Sequence, residues 1–375
     1  MKIAPFKLER FFAKYEFSAP YLLSSSDCEA VTVQEILDLE PDAADRFKQH
    51  WLGYTESEGS PELREAITTL YTTVRADDVL VCAGAEEAIF LFMNSVLDRG
   101  DHVIVHTPCY QSLAEIARSI GCGVTSWRAD EQNGWALDME ILKRSIRPNT
   151  KAIVINCPHN PTGYLMSHDL QRQIVAIARE RRLLLFSDEV YRELEQDPAD
   201  RLPAVCDLYE NGVSLGVLSK TYGLPGLRIG WIATRNTAIR EAMAHFKDYT
   251  SICNSAPSEF LGVVALRHRG HLAARNLQIV RRNLALLDEF FARHADSFWW
   301  VRPKAGSIAY PRLKLDRDIE AFCIDVVERQ GVLLLPGTCY EADSQHFRIG
   351  FGRANMPEAL GRFEDYMRQQ VQVNG

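Results

Sequence analysis

Ser219 and Lys220 follow an apolar run, residues 213–218, that reads as a buried strand, and Arg228 stands eight residues beyond the lysine. A lysine at the end of such a run is partly desolvated. Desolvation disfavours the ammonium and yields the neutral amine, which attacks carbonyl carbon. A guanidinium nearby offers a fork of donors that matches phosphate oxygens. The stretch therefore suits one ligand carrying both an aldehyde and a phosphate. A strand that ends at an ordinary surface lysine is the plainer alternative, and this stretch alone does not decide.

Four further loops follow apolar runs and hold groups of the right types. Gly84, with Ala85 and Glu86, opens a helix after the run 79–82. A helix N-terminus favours a phosphate, although a plain cap would read the same. Tyr110 comes after the run 102–106; it can stack on a flat ring or fill a core. Asn160, in His159-Asn160-Pro161-Thr162-Gly163, precedes a proline that keeps it out of helical geometry. Its amide can donate to a phenolic oxygen, or the segment can be a turn. Asp188 ends the run 183–188, where an unpaired carboxylate is costly. A pyridinium N–H would satisfy it; helix capping is the alternative. Tyr191, three residues on, can reach the oxygen of the same ring or serve structurally. Together these groups describe a site for pyridoxal 5'-phosphate (PLP).

Such loops converge only if the runs lie side by side. Apolar runs at 79–82, 102–106, 152–156, 183–188, 213–218 and 230–234 alternate with helical stretches. That pattern predicts an α/β fold with a mostly parallel sheet covered on both faces. Ligands of such sheets sit beyond the carboxyl ends of the strands. Ser60-Pro61 marks a helix start, with serine as cap and proline in the first turn. Residues 259–294 read as one long, bent or connecting helix. Beyond it, strands at 307–313, 332–336 and 346–351 with helices at 319–330 and 357–370 suggest a smaller α+β unit. Residues 5–17 form an aromatic, amphipathic segment expected to dock on another surface, a second subunit being one option, or to join the small unit. The expected divisions are 1–45, an arm and part of the small domain; 46–270, the large domain; and 271–375, the connecting helix and small domain.

Composition narrows the function classes. The 375 residues are 46% hydrophobic, enough for a sizeable core. A formal net charge of -8 argues against a nucleic-acid surface. Nine cysteines without zinc spacing, and no secretory or membrane-spanning run, point to reduced thiols and a cytoplasmic location; no metal site is expected. The glycines at 223, 226 and 230 lack dinucleotide-binding spacing, and no His-Glu-x-x-His stands in the chain.

In order and content, His159-Asn160-Pro161-Thr162-Gly163, Ser187-Asp188-Glu189-Val190-Tyr191 and Ser219-Lys220 through Arg228-Ile229-Gly230 resemble the class I/II aminotransferases, fold type I PLP enzymes. The resemblance covers about residues 20–370. It implies a seven-stranded sheet, a homodimer, and an amino acid and a 2-oxo acid as substrates. It implies that Lys220 carries the coenzyme and then shuttles the Cα proton. Asp188 would pair with the pyridine nitrogen, Asn160 and Tyr191 would hold the phenolic oxygen, and Tyr110 would stack on the ring. Gly84, Ala85, Glu86, Ser219 and Arg228 would surround the phosphate, with Tyr54 lent across the dimer. Arg348, in Phe347-Arg348-Ile349-Gly350, would clamp the substrate carboxylate; as a residue on an apolar strand, it needs an anion of some kind, structural or not.

Two departures stand out. Val217 occupies a position where many relatives have a phosphate-binding hydroxyl. Ser24-Ser25-Ser26-Asp27 replaces a loop that is often glycine-bearing, so Ser25 and Ser26 become candidate substrate contacts with a different side-chain preference. The serine run, the aromatic N-terminus and Lys247-Asp248-Tyr249 are also similar to the capreomycidine synthases of the same family, which cyclise a hydroxylated arginine. A cyclase or a C–S/β-lyase is thus an alternative to a transaminase. A PLP-binding regulatory module is a remote one, since such proteins add a basic DNA-binding domain.

Overall fold

The computed structural model describes residues 2–342 and 344–373. Seven strands form the main sheet: β1 (Val79–Cys82), β2 (His102–Thr107), β3 (Gly123–Arg128), β4 (Thr150–Asn156), β5 (Leu184–Asp188), β6 (Gly212–Val217) and β7 (Gly230–Ala233). Their order is β1-β7-β6-β5-β4-β2-β3. The pairs β2–β3, β2–β4, β4–β5 and β5–β6 are parallel, and β7 runs against both of its neighbours. Alternate residues of one strand feed opposite cores. Val79 and Val81 pack on one side, Leu80 and Cys82 on the other. A strand apolar on both faces is what a doubly covered sheet demands.

Six strands match the apolar runs. The seventh, β3, carries none, because it is an edge strand on which Gly123, Ser126 and Arg128 are exposed and only Trp127 is buried. The long helical stretch is divided: helices span Ala256–Arg267 and Arg269–Arg293, with His268 between them at φ -108° and ψ 18°.

The smaller unit holds a three-stranded sheet of β11 (Leu335–Pro336), β12 (Phe347–Gly350) and β9 (Ile308–Ala309). A two-stranded piece joins β10 (Arg312–Leu313) to β8 (Phe298–Trp299). Helices Ile319–Gln330 and Met356–Val373 complete it. Phe298, Phe322, Phe347 and Phe363 pack edge-on and tilted at its centre, with centroid spacings of 5.6–6.3 Å.

The N-terminal helix, Lys7–Tyr15, meets the small unit, one of the two fates expected of it. It docks on its own chain. Leu8 packs with Leu335 and Cys339, and Tyr15 with Val327 and Leu333. Lys7 N–H donates to Gln111 Oε1 at 2.9 Å, and Gln111 Nε2 donates to Pro5 O at 3.0 Å. The helix therefore bridges the small unit and the large sheet.

The serine run is held against β12 by a missing side chain. Gly350 N–H donates to Leu23 O at 2.9 Å, and a Cβ on Gly350 would lie 1.9 Å from Ser25 O. That contact is backbone, so it cannot swing aside. Gly350→Ala is expected to lower stability by about 1–3 kcal/mol, the usual cost of overpacking, read as a lower denaturant midpoint.

Candidate active site

Polar residues concentrate at the carboxyl ends of the parallel strands. β4 ends at Asn156 and β5 at Asp188, and these two lie opposite each other in the register. Asn156 Nδ2 donates to Asp188 O at 2.8 Å, and Asn156 Oδ1 accepts from Asn160 N–H at 2.6 Å. One buried amide thus ties the Asn160 loop to the strand that carries Asp188. β6 delivers Ser219 and Lys220 beside them.

These loops close around a cavity of about 320 Å³ between the large sheet and the small unit. Ala85, Glu86, Tyr110, Asn160, Asp188, Tyr191, Ser219, Lys220, Arg228, Arg348, Ser25 and Ser26 all line it. Val217 does too, so a methyl wall stands where a hydroxyl was expected to be missing. Gly84 lies just behind. It caps the helix Ala85–Val96 at φ 87°, and a Cβ there would come 2.6 Å from Arg228 Nη2. Glycine at 84 thus lets the guanidinium of Arg228 settle against the helix N-terminus. Tyr54 is the exception: it is not in the cavity wall, and it is 87% exposed.

The electrostatics are those of a site awaiting charge. Lys220 Nζ donates to Ser26 Oγ at 2.7 Å. Burial lowers its pKa from the ordinary lysine value, opposed by Asp27 and Asp188 and reinforced by Arg348. Among the described residues the Asp188 carboxylate accepts a single bond, from Val190 N–H at 3.2 Å, and burial pushes its carboxyl up to about 7. Among the described residues neither forms a salt bridge. Ser219 Oγ and Tyr191 OH are buried with no hydrogen-bond partner among those residues. Orphaned polar atoms in a cavity are costly unless a ligand meets them.

Arg348, on β12, is 2% exposed. Its Nε and Nη2 donate to Ser24 O at 3.1 and 2.8 Å. Its Nη1 donates to Tyr340 OH at 2.8 Å and reaches Asn160 Oδ1 at 3.5 Å. Tyr340 OH donates in turn to the same Asn160 Oδ1 at 2.9 Å. These contacts engage Oδ1 and leave the Asn160 Nδ2 as the donor. No carboxylate neutralises the guanidinium among the described residues, so the structural alternative for this arginine fails. The serine carbonyl and the tyrosine are neutral partners that orient the guanidinium without balancing its charge.

Sequence reasoning missed several members of the site. Tyr340 stands in Cys339-Tyr340-Glu341, which has no distinguishing pattern. Leu8, Glu9, Phe12 and Glu16 line the cavity from the N-terminal helix. Their spacing of i, i+4 and i, i+3, i+7 marks one helix face, but not what that face meets. Conversely, Lys247 of the Lys247-Asp248-Tyr249 segment lies outside the cavity wall. It is buried and donates to Asn254 Oδ1 at 2.9 Å and to Ser57 O, a structural tie.

Orphaned Ser219 and Tyr191, the Gly84–Arg228 cradle, the buried and unpaired Asp188 and the desolvated Lys220 fit PLP group by group. The similarities agree. A PLP-dependent aminotransferase of Streptococcus suis superposes with a TM-score of 0.92 at 33% identity, over 98% of this chain and 99% of that one. The PLP-dependent cyclase OrfR superposes with a TM-score of 0.90 at 30% identity, over 99% and 98%. Capreomycidine synthase of Streptomyces vinaceus is 28% identical over 94% of this chain and 93% of its own length. Residues 20–363 match the family Aminotransferase class I and II. The chain belongs to that family of PLP-dependent enzymes, with its fold type I architecture.

Proposed function

We propose that this chain transaminates an α-amino acid with a 2-oxo acid as acceptor, using Lys220 as both the coenzyme's anchor and the proton carrier. The observation that carries this reading is the buried, hydrogen-bonded but ion-pair-free Lys220 beside an equally unpaired Asp188. Bound PLP supplies a ring that withdraws the electron pair left at Cα when an amino acid loses its proton. Asp188 would hold that ring's nitrogen protonated through a carboxylate–N–H contact. Asn160 Nδ2 and Tyr191 OH would donate to the phenolic oxygen. Backbone N–H groups of Ala85 and Glu86, the Ser219 hydroxyl and Arg228 would receive the phosphate, and Tyr110 would face the ring.

Lys220 then acts on the substrate. Burial, which lowers its pKa, favours the neutral amine that would take the Cα proton as general base and hand it on as general acid. Ser26 Oγ fixes the amine's position. Arg348 would hold the α-carboxylate, its guanidinium pre-oriented by Ser24 O and Tyr340. The N-terminal helix, which lines the cavity through Leu8 and Phe12, would limit water at the reacting carbon.

Exposed Trp51, Leu52, Tyr54, Tyr249 and Ile252 support a homodimer in which Tyr54 serves the neighbouring phosphate. The nine free cysteines, all buried except Cys253, support a reducing, cytoplasmic setting. No helix among the described residues is long and apolar enough to cross a membrane.

The similarity to the cyclase and to capreomycidine synthase supports a second reading, ring closure or elimination at the same site. The products separate the two. Purified protein should absorb at about 400–430 nm through its coenzyme. One half-reaction with an amino acid and no acceptor should leave the coenzyme as its amine and release a 2-oxo acid. Recovery of the aldehyde form would favour cyclisation or elimination. Lys220→Ala should abolish both the band and the product. Arg348→Ala should raise KM for amino acids by about tenfold or more while hardly moving that for simple amines; an equal rise for both would remove its carboxylate role.

Asp188 also links function to stability. Burial favours its neutral form, so the folded, cofactor-free protein keeps this proton up to about pH 7, whereas the unfolded chain loses it near the ordinary value of 3.8. Stability of that form therefore falls as pH rises through this window and levels off above it. Asp188→Asn cannot titrate. Relative to wild type it should gain stability with rising pH, by up to about 4 kcal/mol, while losing PLP affinity. Denaturant midpoints of the two cofactor-free proteins at about pH 4 and about pH 8 check the sign.

A further inference from the structure

The N-terminal helix puts charge where the coenzyme has no use for it. In the reading above, Lys220, Asp188, Arg228 and Arg348 each have a task toward coenzyme or α-carboxylate. Four carboxylates of the same wall remain: Glu9, Glu16, Asp27 and Glu86, the last accepting from Ser112 Oγ. Asp27 is neutralised by Arg353 at 2.8 Å. Glu9 and Glu16 form no salt bridge among the described residues. They stand seven residues apart, two helical turns, with Phe12 between them on the same face. The Phe12 ring lies 5.7 Å from the Arg348 guanidinium. The helix face that carries the two glutamates thus adjoins the arginine assigned to the α-carboxylate.

We propose that the outer part of this cavity receives a side chain ending in a cation, an ammonium or guanidinium, and that Glu9 and Glu16 recognise it. This inference rests on the amino-acid reading of the site. The cavity is a ligand site on separate grounds, because Tyr191 OH and Ser219 Oγ are buried in its wall without partners. The excess negative charge at the mouth is felt by its neighbours. Burial raises the Glu16 carboxyl, Glu9 and Asp27 push it further, and Arg353 and Arg348 offset them in part; Glu9 likewise adds to the rise that burial produces in Glu86. A cation placed between Glu9 and Glu16 relieves that repulsion, whereas a side-chain carboxylate adds to it. A substrate is then held at two ends. Its α-carboxylate lies on Arg348 and its distal cation on the helix, with Phe12 and Leu8 lining the aliphatic stem. The same rim disfavours dicarboxylic amino acids and dicarboxylic 2-oxo acids.

The experiment compares isosteric pairs on the PLP-loaded enzyme: arginine against citrulline, and lysine against 2-aminoheptanoate. Pre-steady-state mixing reads kcat/KM from the coenzyme band, and the amplitude of the band shift against concentration reads affinity. Charge-assisted hydrogen bonds predict that the cationic member of each pair wins by about tenfold or more, and that aspartate is a poor substrate. In the double variant Glu9→Gln/Glu16→Gln the arginine-to-citrulline ratio should fall by about ten- to a hundredfold. Glu16→Lys should move the preference towards aspartate. An unchanged coenzyme band in each variant shows that the site is still assembled. Equal rates on both members of the pairs in the wild-type enzyme, or a ratio unaltered in the double variant, would overturn the inference and leave the amino-acid reading standing. No reaction with any of these amino acids would overturn both.

Discussion

Two oppositely charged residue types are buried in one cavity without being paired to each other. Lys220 leans on a serine hydroxyl, and Asp188 accepts one backbone N–H. Burying either group as an ion without compensation is expensive, and both respond in the direction burial dictates. The fold tolerates this because Asp188 ends β5 in the middle of a seven-stranded sheet, tied there by Asn156, and Lys220 follows the neighbouring β6 with its carbonyl accepting from Cys28 N–H. What is unfavourable in the bare protein becomes favourable when one ligand supplies an aldehyde, a protonatable ring nitrogen and a phosphate. The cavity therefore stores a cost in stability that coenzyme binding removes.

The second dependence is on Arg348. A fully buried guanidinium at the centre of a three-stranded sheet would be a defect in a structural unit. Here Ser24 O and Tyr340 hold it at fixed orientation without neutralising it. The serine run that supplies Ser24 and Ser26 touches both Arg348 and Lys220, so it links the buried guanidinium to the buried amine. Its seat against Gly350 explains why a loop far away in sequence can be positioned this closely.

Much of this was legible in the chain itself. Lys220, Asp188, Asn160 and the Gly84 turn could be found because each polar group ends an apolar run, and a parallel sheet brings those ends to one edge. β3 could not, since an exposed edge strand needs no apolar pattern. Nor could the division at His268, where nothing local stops the helix. The largest gap is the N-terminal helix. Its amphipathic face was plain, but a helix face says only that something will cover it. Its role in walling the cavity depends on contacts with Leu335, Cys339 and Tyr110, more than a hundred residues away. Tyr340 was hidden for the same reason: it matters only through Arg348 and Asn160, which the fold brings to it.

The claim on which the account turns is that Lys220 bears the coenzyme. Borohydride reduction of the purified protein, followed by proteolysis and mass analysis of the peptides, tests it directly. The account predicts a phosphopyridoxyl group fixed on Lys220. A label on another lysine, or no label on a protein that binds and turns over its coenzyme, would contradict it.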